Sequence, residues 1–340
     1  MTSKFEASVL KGQLSNSHRP RSPKQIFPPP KKIYRLYSDL LFCIMDSLPL
    51  VSIGIPVYNC EQYIELAIKS ILKQTYANFE LIITDDGSTD NTVEKVRKFD
   101  DPRIKLIADG KNRGISYRLN QQIDMAEGEF FVRMDGDDMM FPTRIEKQIS
   151  YLLEHPNVDI VGSGAVIIDD ENAILGFREG RNDFYSVKDV VFRSRYIHPT
   201  VSGRVDWFRK YHYKGDYNGC EDRDLWIRSF NDSKMHCFDE PLMFYRDTTD
   251  FKLRTYLYRM KQGRIMRIGE RRIIGNLSIV IEYVIRNYIK TIAVYLLSKL
   301  GLGKFVVSRR NNPLDASLTA IYSTQIKNII DADNSYCKSH

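Results

Sequence analysis

From residue 50 onward, short apolar runs rich in β-branched residues alternate with stretches of helical periodicity. Residues 51–57 predict a buried strand, and residues 61–74 place Ile64, Ile68 and Ile71 on one face of a helix. Further strands are predicted at 79–84, 103–108, 129–134, 158–168 and 236–245, with helices at 116–126 and from Pro142 to residue 154. This alternation predicts an α/β fold, in which a mostly parallel twisted sheet is flanked by helices. Ligands of such sheets bind beyond the carboxyl ends of the strands.

Basic segments flank the alternating region. Residues 1–48 are predicted to be a mostly disordered arm, because residues 1–33 hold seven Lys or Arg against the single acid Glu6. Met45 stands just before the first strand and is a candidate for an alternative start of the chain. Residues 49–248 form the predicted α/β domain, divided into halves at 140/141, and residues 249–340 form a basic helical C-terminal extension.

The positive charge of the extension has three interpretations. Between residues 250 and 310 it holds 14 Lys or Arg against three acids. The first interpretation is a solvated helical face. The second is attachment to an anionic membrane surface, because Glu282, Arg286 and Lys290 recur every four residues opposite many apolar side chains. The third is nucleic-acid binding, which ranks last because no recognised binding motif accompanies the charge.

Composition excludes several classes of protein. With 43% hydrophobic and 27% charged residues, the chain is expected to be globular. Its five cysteines show no Cys-x-x-Cys spacing and no clustering with histidine, which indicates neither a disulfide framework nor a zinc site and favours a reducing cytosol. No apolar stretch reaches the roughly 20 residues that a membrane-spanning helix needs.

The densest acidic cluster, Asp135-Gly136-Asp137-Asp138, directly follows a predicted strand. Its carboxylates repel one another, and a bound divalent cation would relieve that repulsion. Hard oxygen ligands favour Mg²⁺ or Mn²⁺. An exposed acidic turn is the alternative interpretation of the same residues.

Two further acidic clusters also have alternative interpretations. The turn Asp85-Asp86-Gly87-Ser88-Thr89-Asp90 follows the second strand. Either Thr89 or Asp90 caps the next helix, or a carboxylate at the end of the strand accepts hydrogen bonds from a nucleobase or a ribose. Glu221 and Asp222 lie close to Trp226 at a predicted helix start. There a carboxylate serves either as a cap or as a general base.

In their order and spacing, the three clusters resemble the family 2 glycosyltransferases that have the A-type nucleotide-sugar-binding fold, and in particular bacterial members that assemble surface polysaccharide. The resemblance spans residues 51–246. Beside the acidic clusters it rests on these pieces: Pro56-Val57-Tyr58-Asn59, Asn112-Arg113-Gly114 with Asn120, Gly128-Glu129, Pro142 with Arg144, and His198-Pro199-Thr200.

The resemblance implies roles for the matched residues. The half 49–140 would bind a nucleotide diphosphate sugar, and its implied donor-binding residues are Pro56, Tyr58, Asp85, Asp86 and Asp135. The implied ligands of Mn²⁺ or Mg²⁺ are Asp135 and Asp137, and Asp138 is a candidate to share that role. The half 141–248 would bind the acceptor, with Asp222 as catalytic base and with three residues in acceptor contact or support: Glu221, His198 and Trp226. Taken alone, His198 is more often a turn or core histidine, and Trp226 is more often part of the core.

The implied reaction is an inverting, metal-dependent transfer of a single sugar to a glycan or polyprenyl-linked acceptor. It would take place in the cytoplasm, with peripheral contact at the inner face of the plasma membrane and no nucleic acid involved. Processive members carry a Gln-x-x-Arg-Trp motif and several membrane spans, neither of which this sequence has. The family often has arginine where this chain has Leu119, while Arg118 stands one position earlier, so a phosphate contact there stays open.

Two alternatives compete with this interpretation. One is a catalytically inactive, membrane-attached scaffold that retains the fold. The other is a nucleotidyltransferase, which would normally carry a basic, glycine-rich triphosphate loop near the first strand. Residues 51–59 contain no such loop.

Overall fold

The computed structural model describes residues 48–194, 196–247, 251–303 and 311–332. All of them belong to a unit that begins at Leu48. The prediction of a disordered arm over residues 1–48, including the alternative start at Met45, lies outside the described residues except for Leu48 itself.

Four parallel strands form the first half of the sheet. They are β1 (Val51–Val57), β2 (Phe79–Asp85), β3 (Ile104–Ala108) and β4 (Phe130–Arg133), in the order β3-β2-β1-β4. Helices α1 (Ile64–Leu72), α2 (Thr92–Arg97) and α3 (Ile115–Met125) connect them. Nearly every residue of β1 and β2 is buried, because helices cover both faces of a parallel sheet and its strands become continuous apolar runs.

The second half of the sheet is mixed. Its elements are β5 (Met139–Met140), α4 (Arg144–Glu154), β6 (Ile160–Ile168), β7 (Ile174–Arg178), α5 (Val187–Phe192), a 3₁₀ turn (His198–Thr200), β8 (Ser202–Arg204), α6 (Val205–Lys210), α7 (Glu221–Ser229) and β9 (Met235–Arg246). The sheet continues from β4 in the order β8-β6-β9-β5, with β7 on β6. Strand β6 runs parallel to β9, whereas β8 runs antiparallel to both β4 and β6.

The predicted elements are present with boundaries shifted by a few residues. The helix predicted at 61–74 is Ile64–Leu72, and the strand predicted at 158–168 is Ile160–Ile168. Pro142 was predicted within the first turn of a helix, but α4 begins at Arg144 and Pro142 lies in the turn before it.

In the part of the chain that the structure describes, four helices follow the sheet: α8 (Leu253–Gly269), α9 (Arg271–Ile274), α10 (Leu277–Lys299) and α11 (Ala316–Ile330). Met266 of α8 and Tyr283 of α10 are buried in the same apolar cluster as Trp226 of the α/β domain. The extension therefore shares a core with the rest of the chain, and the boundary at 248/249 remains a prediction. Among the described helices, none has both the length and the apolar character needed to cross a membrane.

Candidate active site

The acidic cluster forms a tight loop that leaves β4 and packs on the end of β1. Met134 donates its backbone N–H to the carbonyl oxygen of Gly54, which keeps the chain beside β1 as the loop begins. A Cβ atom at Gly136 would lie 2.8 Å from Cγ1 of Val57, so only glycine allows this close approach. The carboxylates are thereby held at the carboxyl edge of the sheet, where ligands of such folds bind.

Ligand atoms of Asp135, Asp137 and Asp138 lie within 4.8 Å of one another. Burial and the charge of Asp135 raise the pKa of Asp137 to about 6, and burial together with both neighbouring carboxylates raises the pKa of Asp138 well above its usual value. Oδ2 of Asp138 is buried and has no hydrogen-bond partner among the described residues. An orphaned carboxylate oxygen within a cluster of hard ligands fits Mg²⁺ or Mn²⁺. The burial of Asp138 also excludes the alternative of an exposed acidic turn.

Three arginines hold this loop in place, and two of them, Arg133 and Arg246, were not assigned by the sequence analysis. Buried Arg133 donates two hydrogen bonds to the carboxylate of Asp135, at 3.0 and 2.6 Å. Arg246 donates its backbone N–H to Oδ1 of Asp138 at 2.8 Å and its Nε to the carbonyl of Asp137 at 2.9 Å. Arg144, a motif residue that we expected to support the acidic loop, donates to the carbonyl of Arg133 at 2.8 Å. These charge-assisted contacts fix the orientation of the carboxylates.

The residues predicted to bind the donor base lie at the ends of β1 and β2. Tyr58 is 50% exposed, and its ring is available for stacking. Asp86 is buried, and its carboxylate accepts the backbone N–H groups of Arg113 and Gly114. Asp85 accepts the backbone N–H groups of the following turn at Gly87 and Ser88. Asp85 therefore stabilises the turn, whereas the predicted capping contact comes from Asp90, whose carboxylate accepts the backbone N–H of Thr92 at the start of α2. Partly buried Pro56 lies beside Asp85 and Asp86 on β1.

A cavity of about 840 Å³ opens beside the acidic loop. Among its lining residues are five that the site uses: Arg133, Asp135, His198, Glu221 and Asp222. The structure thus brings a predicted metal ligand and the predicted base together in one space. The cavity lining does not include five other predicted site residues: Pro56, Tyr58, Asp85, Asp86 and Asp137.

The predicted base stands in the first turn of α7. Asp222 is partly exposed to the cavity, whereas the carboxylate of Glu221 accepts the backbone N–H of Gly219 at 2.6 Å. Burial and the charge of Asp222 raise the pKa of Glu221. One oxygen of Glu221 is therefore held by the turn before the helix. Glu221 and Asp222 both line the cavity, and Asp222 is the more exposed of the two.

Trp226 lies on the buried side of this helix, and His198 packs against it. Trp226 is fully buried, and its ring meets those of Tyr196 and His198 edge-on. Burial excludes a sugar-stacking role for Trp226. Nε2 of His198 lies 2.8 Å from the hydroxyl of Tyr213, so the imidazole is anchored although it also lines the cavity. Loss of water around the ring and the nearby charge of Arg133 lower the pKa of His198 well below its usual value.

Comparisons with known proteins place this geometry in a family. The profile described as glycosyl transferase family 2 matches residues 52–216. The chain is 34% identical over 225 residues to EpsE of Bacillus subtilis (strain 168), described as a glycosyltransferase, and the match covers 63% of this chain and 79% of EpsE. The chain belongs to glycosyl transferase family 2.

Two further relatives resemble this glycosyltransferase. Over 127 residues it is 42% identical to WfgD of Escherichia coli, described as a UDP-Glc:α-D-GlcNAc-diphosphoundecaprenol β-1,3-glucosyltransferase; the match covers 37% of this chain and 49% of WfgD. The mannosyltransferase PcManGT from Pyrobaculum calidifontis, solved with GDP-Man and Mn²⁺, has a TM-score of 0.50 at 16% identity, covering 88% of this chain and 94% of that one. At this identity the likeness concerns the fold alone, and it agrees with the predicted sheet flanked by helices.

The structure explains the departure of this glycosyltransferase from the family pattern at Leu119. Leu119 is fully buried, and the guanidinium of Arg118 is enclosed one position earlier. Arg118 donates to Asp86 at 3.1 Å and to Asp109 at 2.5 Å. Arg118 therefore orients the carboxylate of Asp86, a predicted donor-binding residue. Its guanidinium lies in the protein interior.

Proposed function

We propose that this glycosyltransferase moves a single sugar, with inversion, from a nucleotide diphosphate sugar to a glycan or lipid-linked oligosaccharide acceptor in the assembly of cell-surface polysaccharide. The observation that carries the proposal is the shared cavity, in which Asp135 of the acidic loop and Asp222 of α7 face the same space. The described activity of WfgD on a diphosphoundecaprenol-linked sugar supports the acceptor class. A specific nucleotide and a specific sugar are not part of the proposal.

On the donor side, the exposed ring of Tyr58 stacks on the nucleobase and Pro56 shapes the edge of β1 beside it. Asp86 contacts the base or ribose with the lone pairs that its internal hydrogen bonds leave free, and the ion pair with Arg118 holds its carboxylate in place. Asp85 stabilises the turn that carries these groups. The crystal partners of PcManGT, GDP-Man and Mn²⁺, are consistent with a donor and a metal in this fold.

Asp135, Asp137 and Asp138 would hold a divalent cation, because their oxygens converge and one of these oxygens is buried with no hydrogen-bond partner in the described part of the chain. When bound, the cation supplies positive charge against the diphosphate leaving group. Arg133 keeps the carboxylate of Asp135 turned toward the cavity, and Arg246 ties the backbone of Asp137 to β9. The loop is thus preorganised for its ligand before the donor arrives.

Asp222 is the catalytic base. It takes the proton of the acceptor hydroxyl as that oxygen forms a bond to the anomeric carbon, while the bond from this carbon to the diphosphate oxygen breaks. The electron pair leaves with the nucleoside diphosphate. Because attack and departure occur on opposite faces of one carbon, a single displacement inverts the anomeric configuration. A positioned carboxylate contributes roughly 10²- to 10⁴-fold to such a step.

We further propose that the enzyme acts in the cytoplasm, peripherally at the inner face of the plasma membrane. Support comes from α10, whose outer surface carries a stripe of exposed apolar side chains at Leu277, Ile281, Ile285, Ile289 and Ile292. Exposed basic residues such as Arg286 and Lys290 lie on the same helix. Apolar side chains beside cations suit the interface of an anionic bilayer.

The test of the base is Asp222→Asn. We expect turnover to fall at least about a hundredfold while metal-dependent donor binding stays nearly unchanged, because the amide cannot accept the proton. Donor binding is measured by calorimetry with UDP and with GDP, with and without Mn²⁺, and turnover with a panel of nucleotide sugars. Asp216→Asn is the matched control, since Asp216 is exposed and does not line the cavity. Turnover like that of the wild type in Asp222→Asn would overturn the assignment of the base.

A further inference from the structure

A second cavity, of about 720 Å³, adjoins the active-site cavity. It lies between α8 and α10 and reaches the first turn of α7. Arg178, Arg223, Asp247 and Arg259 line both cavities, so the two spaces share a wall. The donor-side residues Tyr58, Asp86 and Asp137 line neither of them. A ligand in the second cavity would therefore approach Asp222 from the acceptor side.

The second cavity carries unbalanced positive charge. Its ionised lining residues are one acid, Asp247, and the cations Arg178, Arg223, Lys252, Arg259, Arg286 and Lys290. Arg178 pairs with Asp247, and Arg286 pairs with Glu282 at 2.7 Å. For Arg223, Lys252 and Arg259, no acidic partner within 4.0 Å is found in the part of the chain that the structure describes. Unpaired guanidinium groups at a cavity wall are suited to bind phosphate oxygens.

Apolar and aromatic side chains complete the lining. They are Phe192, Phe251, Tyr256, Met260 and Tyr283. Helix α10, which lines the cavity with Tyr283 and Asn287, also carries the exposed apolar residues Ile285 and Ile289 outside the cavity. The cavity thus offers an anion site near the base and an apolar site beyond it. This sequence of surfaces fits an amphiphile whose charged group lies between a sugar and a hydrocarbon chain.

We propose that the second cavity binds the diphosphate that joins the acceptor sugar to an isoprenoid lipid. This inference rests on the proposed transfer to a lipid-linked acceptor and adds the place where that acceptor is held. Arg223, Arg259 and Lys252 contact the phosphate oxygens, and the first isoprene units contact Phe251 and Met260. Arg223 directly follows Asp222 in α7, so a bound diphosphate places the attached sugar beside the base.

The test uses geranyl diphosphate, a soluble prenyl diphosphate, titrated into the full chain by calorimetry with EDTA present so that binding at the acidic loop is suppressed. We expect Arg259→Glu to weaken binding at least about tenfold, because an exposed cation at the anion site is reversed. Arg223→Gln should weaken it in the same direction. Arg254→Glu is the matched control, since Arg254 is exposed on the same helix and does not line the cavity.

Further ligands separate the sources of the anion. Geraniol should not bind, and geranyl monophosphate and inorganic pyrophosphate should bind more weakly than geranyl diphosphate. Pyrophosphate binding as tight as that of geranyl diphosphate would overturn the lipid part of the proposal. Vesicles of phosphatidylglycerol test whether a membrane headgroup occupies the cavity instead of the diphosphate. Arg259→Glu should bind these vesicles nearly as well as the wild type does. If Arg259→Glu lost vesicle binding together with geranyl diphosphate binding, the assignment would be contradicted.

Donor binding distinguishes this inference from the function on which it rests. UDP or GDP should bind the wild type and Arg259→Glu equally in the presence of Mn²⁺, because Arg259 lies on the acceptor side. Intact donor binding without any binding of geranyl diphosphate would overturn this inference alone. Absence of metal-dependent nucleotide binding in the wild type would instead overturn the proposed function.

Discussion

The side chain of Asp138 lowers the stability of the fold but is suited to bind a cation. Its carboxylate lies within 4.8 Å of two others, and one of its oxygens is buried with no hydrogen-bond partner among the residues that the structure describes. Without a cation this arrangement destabilises the fold, because buried like charges repel one another and raise each other's pKa. The same residues are the ones that a cation would need. The carboxylates of the acidic loop therefore destabilise the metal-free fold and are also the groups that would bind the cation.

We predict that Asp138→Asn stabilises the metal-free protein by about 1–3 kcal/mol and reduces the stabilisation that Mn²⁺ provides. The amide oxygen can still accept the N–H of Arg246, while one negative charge is removed. Thermal unfolding with and without Mn²⁺ measures both effects. Asp85→Asn is the contrast, because Asp85 accepts two backbone N–H groups and should lose stability without changing the response to Mn²⁺. A destabilised Asp138→Asn protein with an unchanged Mn²⁺ response would contradict the metal site.

His198 makes stability depend on pH. The folded protein lowers the pKa of its imidazole below the ordinary value, so the unfolded chain binds the proton more readily. The stability linked to this residue is fully present above about pH 6.5 and is lost as the pH falls below it, by at most about 1.4 kcal/mol per pH unit. In His198→Gln this loss is absent. We expect urea unfolding at pH 7.5, 6.5 and 5.5 to show the wild type losing stability relative to the variant; a difference independent of pH would contradict the prediction.

Residues adjacent in sequence could be recognised before the structure was known, whereas their distant partners could not. Asp135–Asp138 and Glu221-Asp222 are contiguous, so their chemistry is visible as a motif. Arg246 reaches Asp138 across 108 residues, and only the pairing of β5 with β9 brings the two together. The contact between Arg133 and Asp135 could have been predicted, because residues two apart on a strand point to the same side. The burial of Trp226 could not be decided from its neighbours in sequence.

At the scale of elements, periodicity predicted the strands and helices that bury a regular face. Strand β8 was missed because it has only three residues, Ser202–Arg204, and two of them are small. Yet β8 joins the two halves of the sheet by pairing with β4 and with β6. Its position is determined by tertiary contacts and not by local propensity. For the same reason the sequence could not reveal the antiparallel pairs of the second half.

Helix α10 differs from its predicted pattern in an informative way. Its inward side is a narrow row that includes Val280, Tyr283, Asn287 and Val294, and many of the remaining apolar residues are exposed. Glu282 pairs with Lys188 of α5 as well as with Arg286. An isolated soluble helix would gain nothing from this exposed stripe. A membrane surface that covers it accounts for both the stripe and the nearby cations.

We predict that the double variant Ile285→Ser and Ile289→Ser lowers binding to phosphatidylglycerol vesicles at least about tenfold, because two apolar side chains no longer enter the interface. Both residues are more than half exposed, so folding should be unaffected. Vesicle sedimentation measures the effect. The control is Leu318→Ser with Ile321→Ser, two exposed residues of α11, which packs elsewhere on the sheet domain. Equal losses in both double variants, or no loss in either, would contradict a docking role for α10.

At the scale of the whole molecule, the extension and the α/β domain share one core. Met266 is fully buried in the cluster that also contains Trp207 and Trp226, the two tryptophans of the chain. Arg267 of the same helix is buried as well and donates to the carbonyl of Val191 at 2.7 Å. Tryptophan fluorescence therefore reports on packing between the extension and the site. A substitution in α8 that disturbs this packing should therefore also disturb α7, the helix that carries Asp222.

We predict that Met266→Ala lowers the free energy of unfolding by about 2–5 kcal/mol, because it leaves a cavity between α8 and the α/β domain. The adjacent Ile265→Ala should change it by less than about 0.5 kcal/mol, since Ile265 is 44% exposed whereas Met266 is fully buried. Urea unfolding is followed by tryptophan fluorescence and by far-ultraviolet circular dichroism. Coincident transitions that shift together in Met266→Ala indicate one cooperative unit. A fluorescence transition that stays in place while part of the helical signal is lost earlier would show instead that residues 249–340 fold as a separate domain.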